Sequence, residues 1–330
     1  MRRLALRSLR TVERDIHLVA DPLRLALSVP QALALLARDR PDAIFTTGGY
    51  VAIPVLVAAS ILRVPTVLWE GNVIPGRSVR ATARLATATA VSFEATCAAL
   101  RLSRPCLVTG TPIRETRGVD RLAARARLGI PPGDRLLLVF GGSQAVRRFN
   151  DAVATALPRL VGRVHLVHVT GDDGYAAALA ARERLPAGLR SRYRPEPFLR
   201  DEMLTVLAAA DLVVGRAGSS TLAEVTALGL PMVVVPYPHA GGHQRANALA
   251  QAAAGAARLV EDSAFDAATL LDAAGILDDP AAHAAMAAAA RGLARPGAAE
   301  AVGTVLLALA ERRPLPDPSA LERIARGLGA

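Results

Sequence analysis

Three short polar segments carry the residue types that hold a phosphorylated ligand. Gly141-Gly142-Ser143-Gln144 follows an apolar run that ends at Phe140. Glycines let a backbone approach closely, free amides at a helix start attract phosphate oxygens, and Ser143 adds a hydroxyl donor. Arg216-Ala217-Gly218-Ser219-Ser220-Thr221-Leu222-Ala223-Glu224 follows a second apolar run, and its Gly-Ser turn is expected to open a helix with Glu224 about one turn in. Amides for a diphosphate and a carboxylate for a ribose diol suit a nucleotide. Pro236-Tyr237-Pro238-His239, then Gly241-Gly242-His243-Gln244-Arg245 with Asn247, follow a third. Each segment alone also fits an ordinary strand-to-helix turn, since none is a Walker loop or a full dinucleotide fingerprint. Their succession is the signal. No Asp-x-Asp metal motif is present, and Asp172-Asp173 between Gly171 and Gly174 reads as a polar turn, so neither a metal nor another cofactor is expected.

These segments need a scaffold that brings successive turns together. Short apolar runs at 43–47, 66–69, 88–91, 106–109, 135–140, 164–170, 212–214 and 232–235 alternate with helix-length stretches at 23–38, 51–62, 151–157, 175–184, 201–209, 220–227 and 243–253. Strands apolar on both faces, separated by helices, predict parallel sheets covered by helices, with ligands beyond the strands' carboxyl ends. Gly118, Gly129, Pro131, Pro132 and Gly133 mark a boundary. The expected layout is a first domain over 1–114, a linker over 115–134, a second domain over 135–295, a C-terminal helix over 296–312 and a tail over 313–330.

Composition narrows the function classes. The 330 residues are 52% hydrophobic and 21% charged, so a sizeable core is available. Aromatics at 3% argue against stacking platforms for nucleic acid, which is not an expected partner. The net charge of +10 comes from arginine alone, with no lysine, and reads as compositional drift. Two cysteines cannot make a disulfide framework, and a cytosolic setting is the default. No apolar run reaches the ~20 residues of a spanning helix. Arg3, Arg7, Arg10 and Arg14, interspersed with Leu6, Leu9 and Val12, form a basic face if helical, which fits an ordinary solvated helix face as well as a helix at an anionic membrane surface.

The ordered set Thr47-Gly48-Gly49-Tyr50-Val51, Glu70-Gly71-Asn72, Gly110-Thr111-Pro112-Ile113-Arg114, Gly141-Gly142-Ser143-Gln144, Gly218-Ser219 with Glu224, and His243-Gln244 with Asn247 resembles the MurG family over residues 3–312. These are the GlcNAc transferases that convert lipid I to lipid II in peptidoglycan synthesis. The resemblance implies an α/β GT-B fold, two Rossmann-like doubly wound domains facing a cleft. It implies UDP-GlcNAc on the C-terminal domain and a polyprenyl-diphosphate-linked acceptor on the N-terminal one. It places Ser143 at the donor diphosphate, Glu224 at the ribose and Arg114 beside the nucleotide, with Gln144, Gly218 and Ser219 also on the donor side. The Leu199 backbone would lie near uracil, and Gln244 with His243 and Asn247 at the GlcNAc hydroxyls. Gly48, Gly49, Tyr50 and Asn72 would line the acceptor side. The implied chemistry is an inverting displacement at the cytoplasmic face of the cell membrane.

The sequence departs from the family pattern at its start. The strand and Gly-rich loop ending in His, where a catalytic base is usually sought, have no counterpart, so the N-terminal sheet is expected to lack its first strands. No catalytic base is assigned, and the chain as written is expected to be impaired. Trp69 and Gly71 stand where the family usually has His and Gln, which loosens the acceptor assignment more than the donor one. A transferase for another glycolipid, or a non-catalytic UDP-sugar-binding remnant, are the alternatives.

Overall fold

A computed structural model describes residues 17–141, 147–238 and 241–328. The chain divides into two compact units, one running to Thr111 and resuming at Gly297, the other spanning Pro112–Pro296. From the amino end the first contains α1 (His17–Asp39), β1 (Ile44–Thr46), α2 (Ala52–Leu62), β2 (Thr66–Glu70), α3 (Arg77–Thr82), β3 (Ala88–Val91), α4 (Glu94–Leu100) and β4 (Cys106–Val108). The second contains α5 (Arg121–Arg127), β5 (Leu136–Phe140), α6 (Arg147–Val161), β6 (His165–Val169), α7 (Asp172–Glu183), α8 (Ala187–Arg190) and β7 (Tyr193–Glu196). It continues through α9 (Met203–Ala209), β8 (Leu212–Gly215), α10 (Ser219–Ala227), β9 (Met232–Val234), α11 (His243–Ala253), β10 (Ala257–Leu259), α12 (Ala267–Ala274) and α13 (Pro280–Leu293). The chain then returns to the first unit for α14 (Ala298–Ala310) and α15 (Pro318–Ala325).

Both sheets are wholly parallel, as the double-sided apolar runs predict. The first orders its strands β1-β2-β3-β4, the second β10-β9-β8-β5-β6-β7. In β5 the two-residue period sends Leu137 and Val139 to a core shared with α6 and α12. Leu136, Leu138 and Phe140 go to one shared with α9, α10 and α11. In the first unit Val67 packs toward α14 and α15, and Leu68 toward α2 and α3.

Several elements differ from the sequence expectation. α6 continues through Pro158 to Val161, because Leu157, Leu160 and Val161 are buried and offset the lost backbone bond. Asp172 and Asp173 form the first turn of α7 and not a polar turn, a position where their charge favours the helix N-terminus. The segment 313–330, expected as a tail, carries α15, whose Leu321, Ile324 and Ala325 complete the first unit's core. Gly297 sets that junction, since its N–H donates to the Ala325 carbonyl and an added Cβ would overlap the Ile324 carbonyl oxygen. The two cysteines are joined, Cys97 of α4 to Cys106 of β4. The basic face at residues 3–14 lies outside the described residues.

Candidate functional site

The three phosphate-type turns belong to neighbouring strands. β8 lies between β5 and β9, and the register pairs Phe140 with Gly215 and Gly215 with Val234. All three strands therefore end level, and the turns that follow them share one edge of the sheet. Gly215 suits that tight approach, because a Cβ would sit 3.0 Å from the Phe140 carbonyl oxygen. Ser143 and Gln144 fall outside the described residues; the helix they lead into, α6, begins at Arg147. Gly218 is the N-cap of α10 and Ser219 its first residue, and no side chain caps that end. Its leading amides are the kind of donor an anion takes up.

Glu224 and Arg114, 110 positions apart, meet directly. Arg114 Nε donates to Glu224 Oε1 at 3.0 Å, and Arg114 Nη1 donates to the Arg200 carbonyl at 3.4 Å. The Glu224 side chain is 15% exposed against 45% for Arg114. Leu199, next to Arg200, is buried in the β5/β8 core and anchors the loop before α9. One guanidinium thus links the carboxylate on α10 to the loop holding Leu199, a contact that spacing alone does not reveal.

The third turn is more internally tied than expected. Gln244 Oε1 accepts the Tyr237 backbone N–H at 2.9 Å, so the oxygen of that amide is engaged within the turn. His243 is the first residue of α11, after Gly242 in a left-handed conformation. Asn247 lies deep in the turn region. It is fully buried, and its Nδ2 donates to the Ala217 carbonyl at 3.2 Å, bracing the neighbouring turn.

Arg216 received no role from sequence, yet its side chain is 8% exposed and central. Nη1 donates to the Val235 and Pro236 carbonyls at 3.1 and 3.3 Å and to Asp262 Oδ1 at 2.5 Å. The guanidinium carbon lies 4.8 Å from the Phe149 ring centroid and 5.4 Å from that of Tyr237. Beside α6 a separate cavity of about 410 Å³ is lined by Asn150, His168, Thr170 and Tyr193 among others. His168 Nδ1 bonds the Tyr193 hydroxyl at 3.0 Å, while Nε2 has no partner. Burial lowers His168 from 6.5 to about 3 and pushes the Tyr193 phenol up.

In the first unit, Gly48 and Gly49 follow β1 and Asn72 follows β2, again at the carboxyl ends of adjacent parallel strands. Both glycines have positive φ, 78° and 82°. An added Cβ at Gly48 would lie 2.7 Å from Val79 Cγ2, whereas Gly49 has open space. Tyr50 is 42% exposed. Asn72 is held by Glu70, whose Oε1 accepts the Asn72 backbone N–H at 2.9 Å and side-chain Nδ2 at 2.8 Å. Oε2 of the same carboxylate accepts the Gly76 N–H at 2.9 Å. Glu70 was visible in the motif, but its service to Asn72 was not. Among the described residues no three His, Cys, Asp or Glu side chains group as metal ligands.

Comparison with known proteins gives a consistent picture. The glycosyltransferase family 28 C-terminal domain matches residues 136–302 and the N-terminal domain of that family residues 9–91. A protein of Roseiflexus sp. (strain RS-1) is 38% identical, the match covering 90% of this chain and 76% of the relative. One of Moorella thermoacetica is 40% identical over 83% of this chain and 76% of its own. Both are named UDP-N-acetylglucosamine–N-acetylmuramyl-(pentapeptide) pyrophosphoryl-undecaprenol N-acetylglucosamine transferase. The crystal structure of Acinetobacter baumannii MurG superposes with a TM-score of 0.71 at 27% identity, covering 87% of this chain and 79% of that one.

Proposed function

The chain belongs to glycosyltransferase family 28, in its MurG branch, and from that premise we propose that it moves GlcNAc from UDP-GlcNAc to undecaprenyl-diphosphoryl-MurNAc-pentapeptide. The observation that carries the donor half is the level ending of β5, β8 and β9, which sets three helix-opening turns along one edge. The α10 amides at Gly218 and Ser219, with Ser143 and Gln144, take the diphosphate. Glu224 accepts from the ribose hydroxyls while Arg114 holds both that carboxylate and the Leu199–Arg200 loop beside uracil. The NH2 end of Gln244, with His243 beside it, meets the sugar.

In the transfer, the acceptor hydroxyl oxygen bonds the anomeric carbon as the bond to the diphosphate oxygen breaks, inverting that centre. The electron pair leaves on UDP, where helix amides and hydroxyls stabilise the added charge without rearranging. The acceptor proton passes to a base, a role assigned to no described side chain. Gly48, Gly49, Tyr50 and Asn72 serve the lipid-linked acceptor. An anionic membrane surface as partner, at the cytoplasmic face, is supported by the arginine-rich start and by Leu27 and Leu35 of α1, 61% and 48% exposed.

Calorimetry with UDP-GlcNAc tests the donor half: binding is expected, and Glu224→Ala should weaken it at least tenfold. Unchanged affinity in that variant refutes the assignment. Transfer of labelled GlcNAc to a lipid I analogue tests the reaction; transfer only to another glycolipid would replace the acceptor. Flotation with anionic and neutral vesicles tests the surface, and equal recovery from both argues against it.

A further inference from the structure

We propose that Arg216 is a positioning residue that couples the sugar-facing turn to the diphosphate helix, so that the donor's two ends are recognised as a unit; the inference rests on the function proposed above. Arg216 is the first residue past the end of β8. Behind it, β5, β8 and β9 are held by ladder hydrogen bonds and two apolar cores. In front of it, the buried guanidinium joins the turn after β9 to the short helical turn after β10. Burying that charge is costly unless it is fully paired, and here it is paired on several sides.

Its reach covers three elements. Nη1 fixes the Val235 and Pro236 carbonyls of the turn after β9, and Asp262 in the short helical turn Asp262–Ala264 after β10. Its guanidinium carbon also lies over the rings of Phe149 of α6 and Tyr237, each a contact that favours a cation. Asp262 Oδ2 in turn meets Arg148 Nε of α6 at 3.2 Å, so the same carboxylate returns to the helix that follows Ser143. From Tyr237 the chain of contacts continues to Gln244, whose oxygen accepts the Tyr237 N–H. The orientation of the Gln244 amide is therefore fixed through Tyr237 by Arg216. Asn247 braces the adjacent Ala217 carbonyl and keeps the Arg216 backbone in register with α11.

A residue that merely supported the fold would affect UDP and UDP-GlcNAc alike. A residue that orients Gln244 should change the ratio of the two affinities. Calorimetric Kd values for UDP and UDP-GlcNAc are to be measured on the full chain for wild type, Arg216→Met, Gln244→Ala and the double variant. Arg216→Met is expected to reduce the preference for UDP-GlcNAc over UDP about tenfold, the size of one oriented hydrogen bond. Gln244→Ala should do the same, and the double variant should lose no more than either. Asp262→Asn and Arg216→Lys provide milder versions that keep a polar or charged group in place if Arg216→Met does not fold. Each should shift the preference in the same direction by a smaller factor, about two- to fivefold. An unchanged preference in these variants, or losses that multiply in the double variant, overturns the inference while leaving the function intact. Wild-type protein that binds neither ligand overturns the functional proposal and this inference together.

Discussion

Acid should weaken the second unit through one histidine. His168 is buried on β6 with Nε2 unpartnered, and burial lowers it from 6.5 to about 3. The unfolded chain therefore takes up a proton near pH 6.5 that the folded chain refuses until about pH 3. Stability from the neutral, buried form is present above pH 6.5 and falls as the pH drops toward 3. Between pH 7.5 and 5.0 linkage gives a loss of about 2 kcal/mol from this residue alone. His168→Asn removes the titration and keeps a polar atom where Nδ1 meets the Tyr193 hydroxyl. The variant is expected to be less stable than wild type at pH 7.5, yet to lose about 2 kcal/mol less on acidification. Hydrogen exchange of the β5 and β6 amides at the two pH values, corrected for intrinsic rates, reads this unit separately from the first. Contributions common to both proteins cancel in the difference. Equal acid losses in wild type and variant would refute the buried-imidazole account.

Three further outcomes follow from the packing. Asp211 accepts from Arg121 at 2.7 Å, from Arg125 at 3.1 Å and from the Leu136 N–H at 2.7 Å, so Asp211→Ala should cost about 3–5 kcal/mol in chemical denaturation by stranding the buried Arg125. Gly48→Ala should lower the melting temperature more than Gly49→Ala, since both meet left-handed strain of about 1–2 kcal/mol but only Gly48 also meets Val79. Reducing the Cys97–Cys106 bond, with its nine-residue separation, should destabilise the first unit by about 2–3 kcal/mol, read as a lower denaturant midpoint of Trp69 fluorescence with dithiothreitol. No change on reduction would mean the bond adds nothing to that unit.

Much of the scaffold was legible because central parallel strands announce themselves. Leu136–Phe140 and Met232–Val234 are apolar on both faces because both faces are covered. The two missed strands are the edges of the six-stranded sheet. β7 reads Tyr-Arg-Pro-Glu, and an edge tolerates Pro195 because its ladder is needed on one side only. β10 is three residues long and starts at a plain Ala. The destination of the C-terminal helices was equally hidden, because Ala- and Leu-rich amphipathic segments fit many apolar faces and only packing selects one.

The same division holds at the site. Glycine turns after apolar strands, the Glu224 position within α10 and the order of the motifs are properties of the chain itself, set by local backbone demands. Sequence alone therefore determined the parallel α/β class, the succession of anion-suited turns and the family they resemble. Tertiary structure alone decided which turns stand side by side and that Arg114 meets Glu224 across 110 positions. It also decided that Asn247 is buried and that Arg216 contacts two aromatic rings. The reason is physical: strand order and side-chain burial arise from contacts between segments far apart in the chain, and no local pattern encodes which distant partner a polar group will find.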